Sequence, residues 1–157
     1  MTAEAARSAA HTLAELAPRL GRIIASTLEA DPEVALSLRQ YRMLERLTER
    51  PHRTGELASV SGIAQPTASA AVATLEARGL VDRKRDPADR RATLIEINEA
   101  GRRVLGVAKE HVLERLSVVT AEMTEQDAEA LAALQPVLVK GMDRLRDELK
   151  AGSRDRR

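Results

Sequence analysis

The feature that most constrains the fold is a run of helix and turn signals at residues 54–97. Two short helical segments are separated by Gly62, and the second of them stops at Gly79. An arginine-rich turn, DPADRR at residues 86–91, then joins two segments with the composition of β-strands. The pattern predicts a helix pair followed by a basic two-stranded ribbon, elements that suit insertion into the grooves of a nucleic acid.

The composition indicates a helical core and excludes several kinds of site. Hydrophobic residues make up 43% of the 157 residues, whereas aromatic residues make up only 1%, so Leu, Val, Ile and Ala must fill the core. With one Tyr and no Phe or Trp, stacking on unpaired bases is essentially absent, which argues against a binder of single strands or RNA. The chain has no cysteine, which excludes disulfides, thiolate metal sites and thiol redox sensing.

The sequence shows neither a secretory signal nor the roughly 18 consecutive apolar residues of a membrane span. We therefore expect a cytoplasmic protein without a membrane partner. The formal net charge of +1 is no evidence for nucleic acid, but five cations face two aspartates between Arg83 and Arg91, a local charge of +3. A charged run of this kind is also typical of a solvated hairpin, so the ribbon alone leaves both interpretations open.

The segment before the helix pair predicts two longer helices. Residues 4–29 have apolar side chains at spacings of three and four, with Pro18 predicting a kink. Asp31 and Pro32 predict the N-cap and first position of a second helix, which ends near Arg50. A connector and a third helix follow, the latter with Thr54 as its N-cap.

The fourth helix begins near Pro66 and is predicted to present two different faces. Its inner face carries apolar side chains at positions i, i+3, i+4 and i+7: Ala68, Ala71, Val72 and Leu75. Its outer face is small and uncharged: Gln65, Thr67, Ser69, Ala70, Ala73 and Thr74. Such a face allows close approach to a flat partner, although a helix packed against another subunit would show the same pattern.

The C-terminal part predicts two strands and two more helices. Residues 80–83 and 92–97 are the strands, Asn98 caps a fifth helix, and Thr124 with Asp127 forms the capping box of a sixth. Pro136 predicts a kink in that last helix. The predicted fold class is mainly α with a small β-wing.

The predicted domain organisation is one domain over residues 1–157 with a winged helix-turn-helix core at 33–98. Residues 4–29 and 99–150 have apolar stripes that so small a core cannot bury, so we interpret them as dimerisation helices of a homodimer.

The ordered set of motifs resembles the multiple antibiotic resistance regulator (MarR) family of winged-helix transcription factors. The segments that carry the resemblance are LRQYRML at 38–44, ELA at 56–58, GIAQPT at 62–67, LEARGLVDR at 75–83, DRR at 89–91 and NEAG at 98–101. The resemblance implies a ligand-responsive repressor that binds a palindromic operator in double-stranded DNA as a homodimer. Fourth helices would lie in major grooves about 34–36 Å apart. Arg91 would enter the minor groove with its guanidinium oriented by Asp89.

Four positions depart from the family's pattern. Ala64 stands where the family often has a capping Ser or Thr, Ala70 and Ala73 stand where arginines are frequent, and Asn98 replaces a Thr. Most of the charge would then come from Arg53, Arg83, Lys84, Arg85, Arg90 and Arg91. The predicted DNA-binding residues are Thr54, Gln65, Pro66, Thr67, Ser69, Thr74, Arg83, Arg85, Asp89, Arg90 and Arg91.

Two other classes of function are weighed against DNA binding. A winged-helix module that binds another protein would explain the uncharged face of the fourth helix, but not the basic ribbon. An enzyme is disfavoured because His11, His52 and His111 have no metal-ligand spacing. A metal sensor built from His111 with Glu110 or Glu114 is a further alternative. We expect no catalytic residue, metal or cofactor, and a small-molecule effector whose identity and pocket the sequence does not reveal.

Overall fold

The computed structural model describes residues 2–89 and 91–154, and over these residues the chain is mainly helical with one antiparallel sheet. The elements are α1 (Ala3–Ala30), α2 (Leu38–Glu49), β1 (His52–Arg53), α3 (Thr54–Ser61), α4 (Gln65–Ala77), β2 (Val81–Arg85), β3 (Thr93–Ile97), α5 (Glu99–Thr120) and α6 (Glu125–Arg154). The chain divides into two compact units, Met1–Leu116 and Ser117–Arg157. The predicted fold class, mainly α with a winged-helix core, is confirmed.

The start of α2 lies later than the sequence predicted. Asp31 ends α1, and its Oδ1 accepts the backbone N–H of Glu33 at 2.7 Å, so it shapes a turn. α2 begins at Leu38, where Ser37 Oγ accepts the Gln40 N–H at 3.3 Å and Gln40 Oε1 accepts the Ser37 N–H at 2.8 Å. This reciprocal capping box satisfies two backbone N–H donors at the start of α2. Asp31, which shapes the preceding turn, satisfies neither of them.

The segment before α3 also differs from prediction. The predicted connector contains β1, the residues His52 and Arg53, which pair with β3. Arg53 occupies the N-cap position of α3, and its backbone N–H donates to Glu56 Oε2 at 3.2 Å. Thr54, predicted as the cap, is instead the first residue of the helix. A two-residue strand is too short to show an alternation pattern, which explains why it was missed.

The two predicted glycine turns are confirmed. Gly62 ends α3 with φ 63°, and Gly79 follows α4 with φ 68°, both in the left-handed region that glycine adopts without a steric cost. Between them, α4 buries Ala68, Val72 and Leu75, three of the four predicted inner positions, with Ala71 partly buried against the same cluster. The burial of these positions leaves the opposite face of α4 outward.

The sheet has the strand order β1-β3-β2 and is antiparallel throughout. β2 and β3 form the wing, in a register that pairs Val81 with Ile97 and Arg85 with Thr93. Both strands were predicted, although β2 continues to Arg85. The wing's base enters the core through Val81, Ile95 and Ile97, while its distal end is exposed.

The core of the first unit extends beyond the predicted range of 33–98. Leu28 of α1 and Leu105, Ala108 and Val112 of α5 join the buried cluster formed by α2–α4 and the sheet. α1 and α6 run unbroken through Pro18 and Pro136, the two positions where the sequence predicts kinks. No helix within the described part of the chain is long and apolar enough to span a membrane.

Candidate nucleic-acid interface

The outer face of α4 is exposed, small and uncharged, as predicted. Gln65, Pro66, Ser69 and Thr74 are exposed, whereas Thr67 is half-buried. The Thr74 hydroxyl donates to the backbone carbonyl of Ala70 at 3.0 Å, so its proton is engaged within the helix. Ala64 provides no side-chain cap, which leaves terminal N–H groups at the positive end of the helix for a phosphate or water.

Ion pairs tie the wing to both helices of the helix-turn-helix. Arg53, at the start of α3, donates from Nε at 3.0 Å and from Nη2 at 2.6 Å to Asp86 Oδ2 in the wing. Arg83 of β2 donates from Nε to Glu76 Oε2 of α4 at 2.8 Å. Thr54 lies half-buried beside the first of these pairs. The wing is therefore held against α3 and α4 by charge as well as by its apolar base.

Asp86 is the residue at this site that sequence reasoning missed. The sequence indicates only a turn residue at this position, yet only 9% of Asp86 is exposed. Its Oδ1 accepts the Ala88 N–H at 2.9 Å while Oδ2 accepts the Arg53 guanidinium. The hydrogen bond from Arg53 holds the pKa of the Asp86 carboxyl below its usual range, and the Ala88 N–H lowers it further. The partner lies 33 residues away, so no local pattern could reveal the pair.

The charge available to a ligand is smaller than the sequence suggested. Three of the cations assigned to DNA have acidic partners: Arg53 with Asp86, Arg83 with Glu76, and Lys84 with Glu96. Among the described wing residues, Arg85 and Arg91 are exposed and take part in no ion pair. Arg90, also a predicted contact, lies outside the described residues. The unpaired positive charge is thus concentrated at the distal end of the wing.

Asp89 has contacts different from those expected. Its Oδ1 accepts the backbone N–H of Arg91 at 3.1 Å, and its Oδ2 lies 3.5 Å from Arg53 Nη2. The carboxylate therefore fixes the backbone at Arg91 and adds to the Arg53 ion pair, rather than binding the Arg91 guanidinium. The Arg91 side chain is left exposed to solvent.

His111, the centre of the alternative metal site, contacts a carboxylate that the sequence did not assign to it. Its Nδ1 lies 2.9 Å from Asp31 Oδ2, across the gap between α5 and the end of α1. Within the described ranges, no group of three or more His, Cys, Asp or Glu side chains could hold a metal ion.

Comparison with known proteins identifies relatives that share this architecture. Residues 36–92 match the family model described as MarR family. An uncharacterised HTH-type transcriptional regulator of Bacillus subtilis, YxaD, is 34% identical over 95 residues, a match that covers 60% of this chain and 66% of that relative.

Solved structures match over most of the chain. BldR, a transcriptional regulator from Sulfolobus solfataricus, is 28% identical with a TM-score of 0.72, over 89% of this chain and 99% of that one. Sco3205, a MarR family regulator from Streptomyces coelicolor solved in complex with DNA, is 25% identical with a TM-score of 0.66, over 90% of this chain and 89% of that one. These relatives are transcriptional regulators and not enzymes. Residues 36–92 thus match the MarR family, and the chain has the winged helix-turn-helix fold of solved transcriptional regulators of that family.

Proposed function

We propose that this regulator binds double-stranded DNA sequence-specifically, as a homodimeric, ligand-responsive repressor on a palindromic operator. The observation that carries the proposal is the exposed, uncharged face of α4 beside a wing whose unpaired arginines lie at its distal end. The related regulator solved in complex with DNA supports the same partner.

In this proposal α4 reads base edges in the major groove. Gln65 and Ser69 are exposed and offer hydrogen-bonding groups, while Ala70 and Ala73 offer methyl groups for thymine. The Thr74 hydroxyl is already donating to Ala70 O, so it acts towards DNA as an acceptor. A face without charge gains little from phosphates, so its contribution is selectivity.

The wing supplies the electrostatic part of binding. Arg91 would enter the minor groove, where a narrow A·T-rich stretch concentrates negative potential, and Arg85 would contact the backbone. Asp89 contributes indirectly, since it fixes the backbone from which Arg91 projects. Arg53 and Arg83 are engaged in ion pairs and would mainly hold the wing in place.

Exposed apolar faces support the proposed dimer. Leu13, Leu16 and Leu20 of α1 are 37–46% exposed, and α6 presents further exposed leucines. A soluble chain rarely leaves such continuous stripes in water, so a second copy is the partner that we propose for them.

Fluorescence anisotropy with DNA from the protein's own promoter, against a scrambled duplex, tests the proposal. Removing one phosphate contact from each protomer should lower the slope of log affinity against log salt by about 1.8, twice the value of about 0.9 per phosphate. We expect this loss of slope for Arg85→Ala. Arg91→Ala should weaken DNA binding and should also lower the slope of log affinity against log salt. Arg46→Ala is the matched control, because that guanidinium is paired with Glu49 within α2 and not with the wing.

Equal slopes for all three variants would contradict the assignment of the wing. The second candidate function, a module that binds another protein, is favoured by the uncharged α4 face alone. It predicts that the native protein gives no footprint on any promoter fragment at moderate salt.

A further inference from the structure

The C-terminal end of α4 is clamped to the loop between α1 and α2. Arg78 is the C-cap residue of α4, and its Nη1 donates to the Ala35 carbonyl at 2.8 Å while Nη2 donates to the Val34 carbonyl at 2.7 Å. Two donors of one planar guanidinium thus hold two consecutive carbonyls, a geometry that the single ammonium of lysine does not reproduce. The clamp fixes one end of the helix that is proposed to read DNA.

The loop at residues 31–37 is itself held in a strained conformation. Ala35 has φ 39°, a left-handed value that is costly for a residue with a Cβ. The flanking Val34 and Leu36 are 1% and 0% exposed, and the Ala35 N–H donates to Asp31 O at 2.7 Å. Such strain persists only where the surroundings fix the backbone, and it occurs often at functional sites.

The other end of this loop contacts α5. Asp31 Oδ2 lies 2.9 Å from His111 Nδ1, and both side chains are more than half shielded from solvent. The loop is therefore attached to α5 through Asp31 and to α4 through the carbonyls that Arg78 binds, while the Leu36 N–H donates to Leu28 O of α1 at 3.1 Å.

We propose that Arg78 is a positioning residue for DNA readout, and that the 31–37 loop transmits the position of α5 to α4. The inference rests on the proposed function, because it concerns the orientation of the reading helix. Arg78 acts through α4 and contributes no phosphate contact. Movement of α5 displaces Asp31, the strained loop moves as a unit, and the two carbonyls carry the end of α4 with them.

Amide hydrogen exchange on the full-length protein without DNA tests the mechanical part. Arg78→Ala should speed exchange at residues 74–80 and 31–37 but not in α3. Arg46→Ala is the matched control, because Arg46 pairs with Glu49 within α2. Equal exchange at 74–80 in these two variants would overturn the positioning role.

The transmission is tested by a second substitution in α5. His111→Ala should speed exchange at residues 74–80, whereas Lys109→Ala, which removes an α5 pair with Glu45 of α2, should not. In the Arg78→Ala background, His111→Ala should have no additional effect there. An effect of His111→Ala that persists without Arg78 would show that the loop is not the route.

DNA binding tests the consequence for specificity. Arg78→Ala should lower the ratio of operator to scrambled-DNA affinity by about tenfold, the loss of roughly one base-pair contact, with an unchanged salt slope. Arg78→Lys should recover part of the ratio. An unchanged affinity ratio, or a salt slope that falls as for Arg85→Ala, would refute the positioning role of Arg78. If the native protein itself prefers no DNA, the proposed function fails, and the exchange data decide the role of Arg78 separately.

Discussion

Replacing Gly101 with alanine tests how closely the start of α5 packs against the base of the wing. A Cβ at this position would lie 2.1 Å from Leu80 O and 2.8 Å from Ile97 Cγ1. The Ile97 side chain can rotate, but Leu80 O belongs to the backbone and also accepts the Asn98 N–H at 3.3 Å. Relief of the clash therefore requires the helix or the wing base to move.

The size of the effect follows from that distance. Comfortable contact between carbon and a carbonyl oxygen begins near ~3.3 Å, so the two segments must separate by about 1.2 Å. Overpacking of this kind costs about 1–3 kcal/mol, and a backbone obstacle argues for the upper end. The higher helix propensity of alanine offsets this cost by at most ~1 kcal/mol. We expect a net loss of about 2 kcal/mol, or ~4–8 °C in Tm.

Urea unfolding followed by circular dichroism measures this loss. Gly106 lies in the same helix, and a Cβ added there would meet no neighbouring side chain or segment within 4 Å, so Gly106→Ala is the matched control. The control should be as stable as the native protein or up to ~1 kcal/mol more stable. Equal unfolding midpoints for the two variants would refute the argument from close packing.

Three further predictions concern a turn, a carboxyl and the single tyrosine. Gly62→Ala, at φ 63°, should lose about 1–2 kcal/mol by urea unfolding, whereas Gly55→Ala in open space should not. Asp86 has a pKa below its ordinary value of 3.8 in the folded protein, so its stabilising effect is present above about pH 4 and lost as pH falls through the folded pKa. The difference in unfolding free energy between the native protein and Asp86→Asn should therefore shrink in acid. A difference that stays constant with pH would contradict this prediction. Burial, followed by the nearby Glu45 carboxylate, raises the pKa of Tyr41 to about 12. Ultraviolet titration should show this midpoint in the native protein and a lower one in Glu45→Gln, and an unshifted midpoint near ~10 would exclude the burial.

The parts of the fold that the sequence predicted depend on short-range chemistry. Gly79 ends α4 because a residue without a Cβ adopts φ 68° at no steric cost. Asn98 caps α5 through Oδ1, which accepts the Gly101 N–H at 3.0 Å, and Thr124 with Asp127 forms the predicted box before α6. In each capping motif the two partners lie within three or four residues of each other, so a short stretch of sequence is enough to predict the motif.

The parts that were missed depend on partners distant in the chain or on competition between local signals. Asp31 has the chemistry of an N-cap, but Ser37 forms a reciprocal box with Gln40 and so determines where α2 begins. β1 exists because β3 provides its hydrogen bonds, and Arg53 is neutralised because the fold brings Asp86 to it. The tertiary structure creates these pairings, so the local sequence around each residue does not reveal them.

The distribution of ion pairs changes how the local charge of the wing should be interpreted. Arg83 and Lys84 of the wing are matched by Glu76 and Glu96, and Arg53 at the start of α3 is matched by Asp86 of the wing. These cations therefore add rigidity rather than attraction for phosphate. Unpaired cations among the described wing residues remain at Arg85 and Arg91, beyond the rigid base. Since each phosphate neutralised contributes only about 0.9 to the salt slope, a few distal arginines give modest charge-driven affinity. Under the proposed function, discrimination between DNA sequences then depends on where the neutral α4 face is held. The residues that fix α4 and the wing in place should therefore matter as much to readout as the residues proposed to contact DNA.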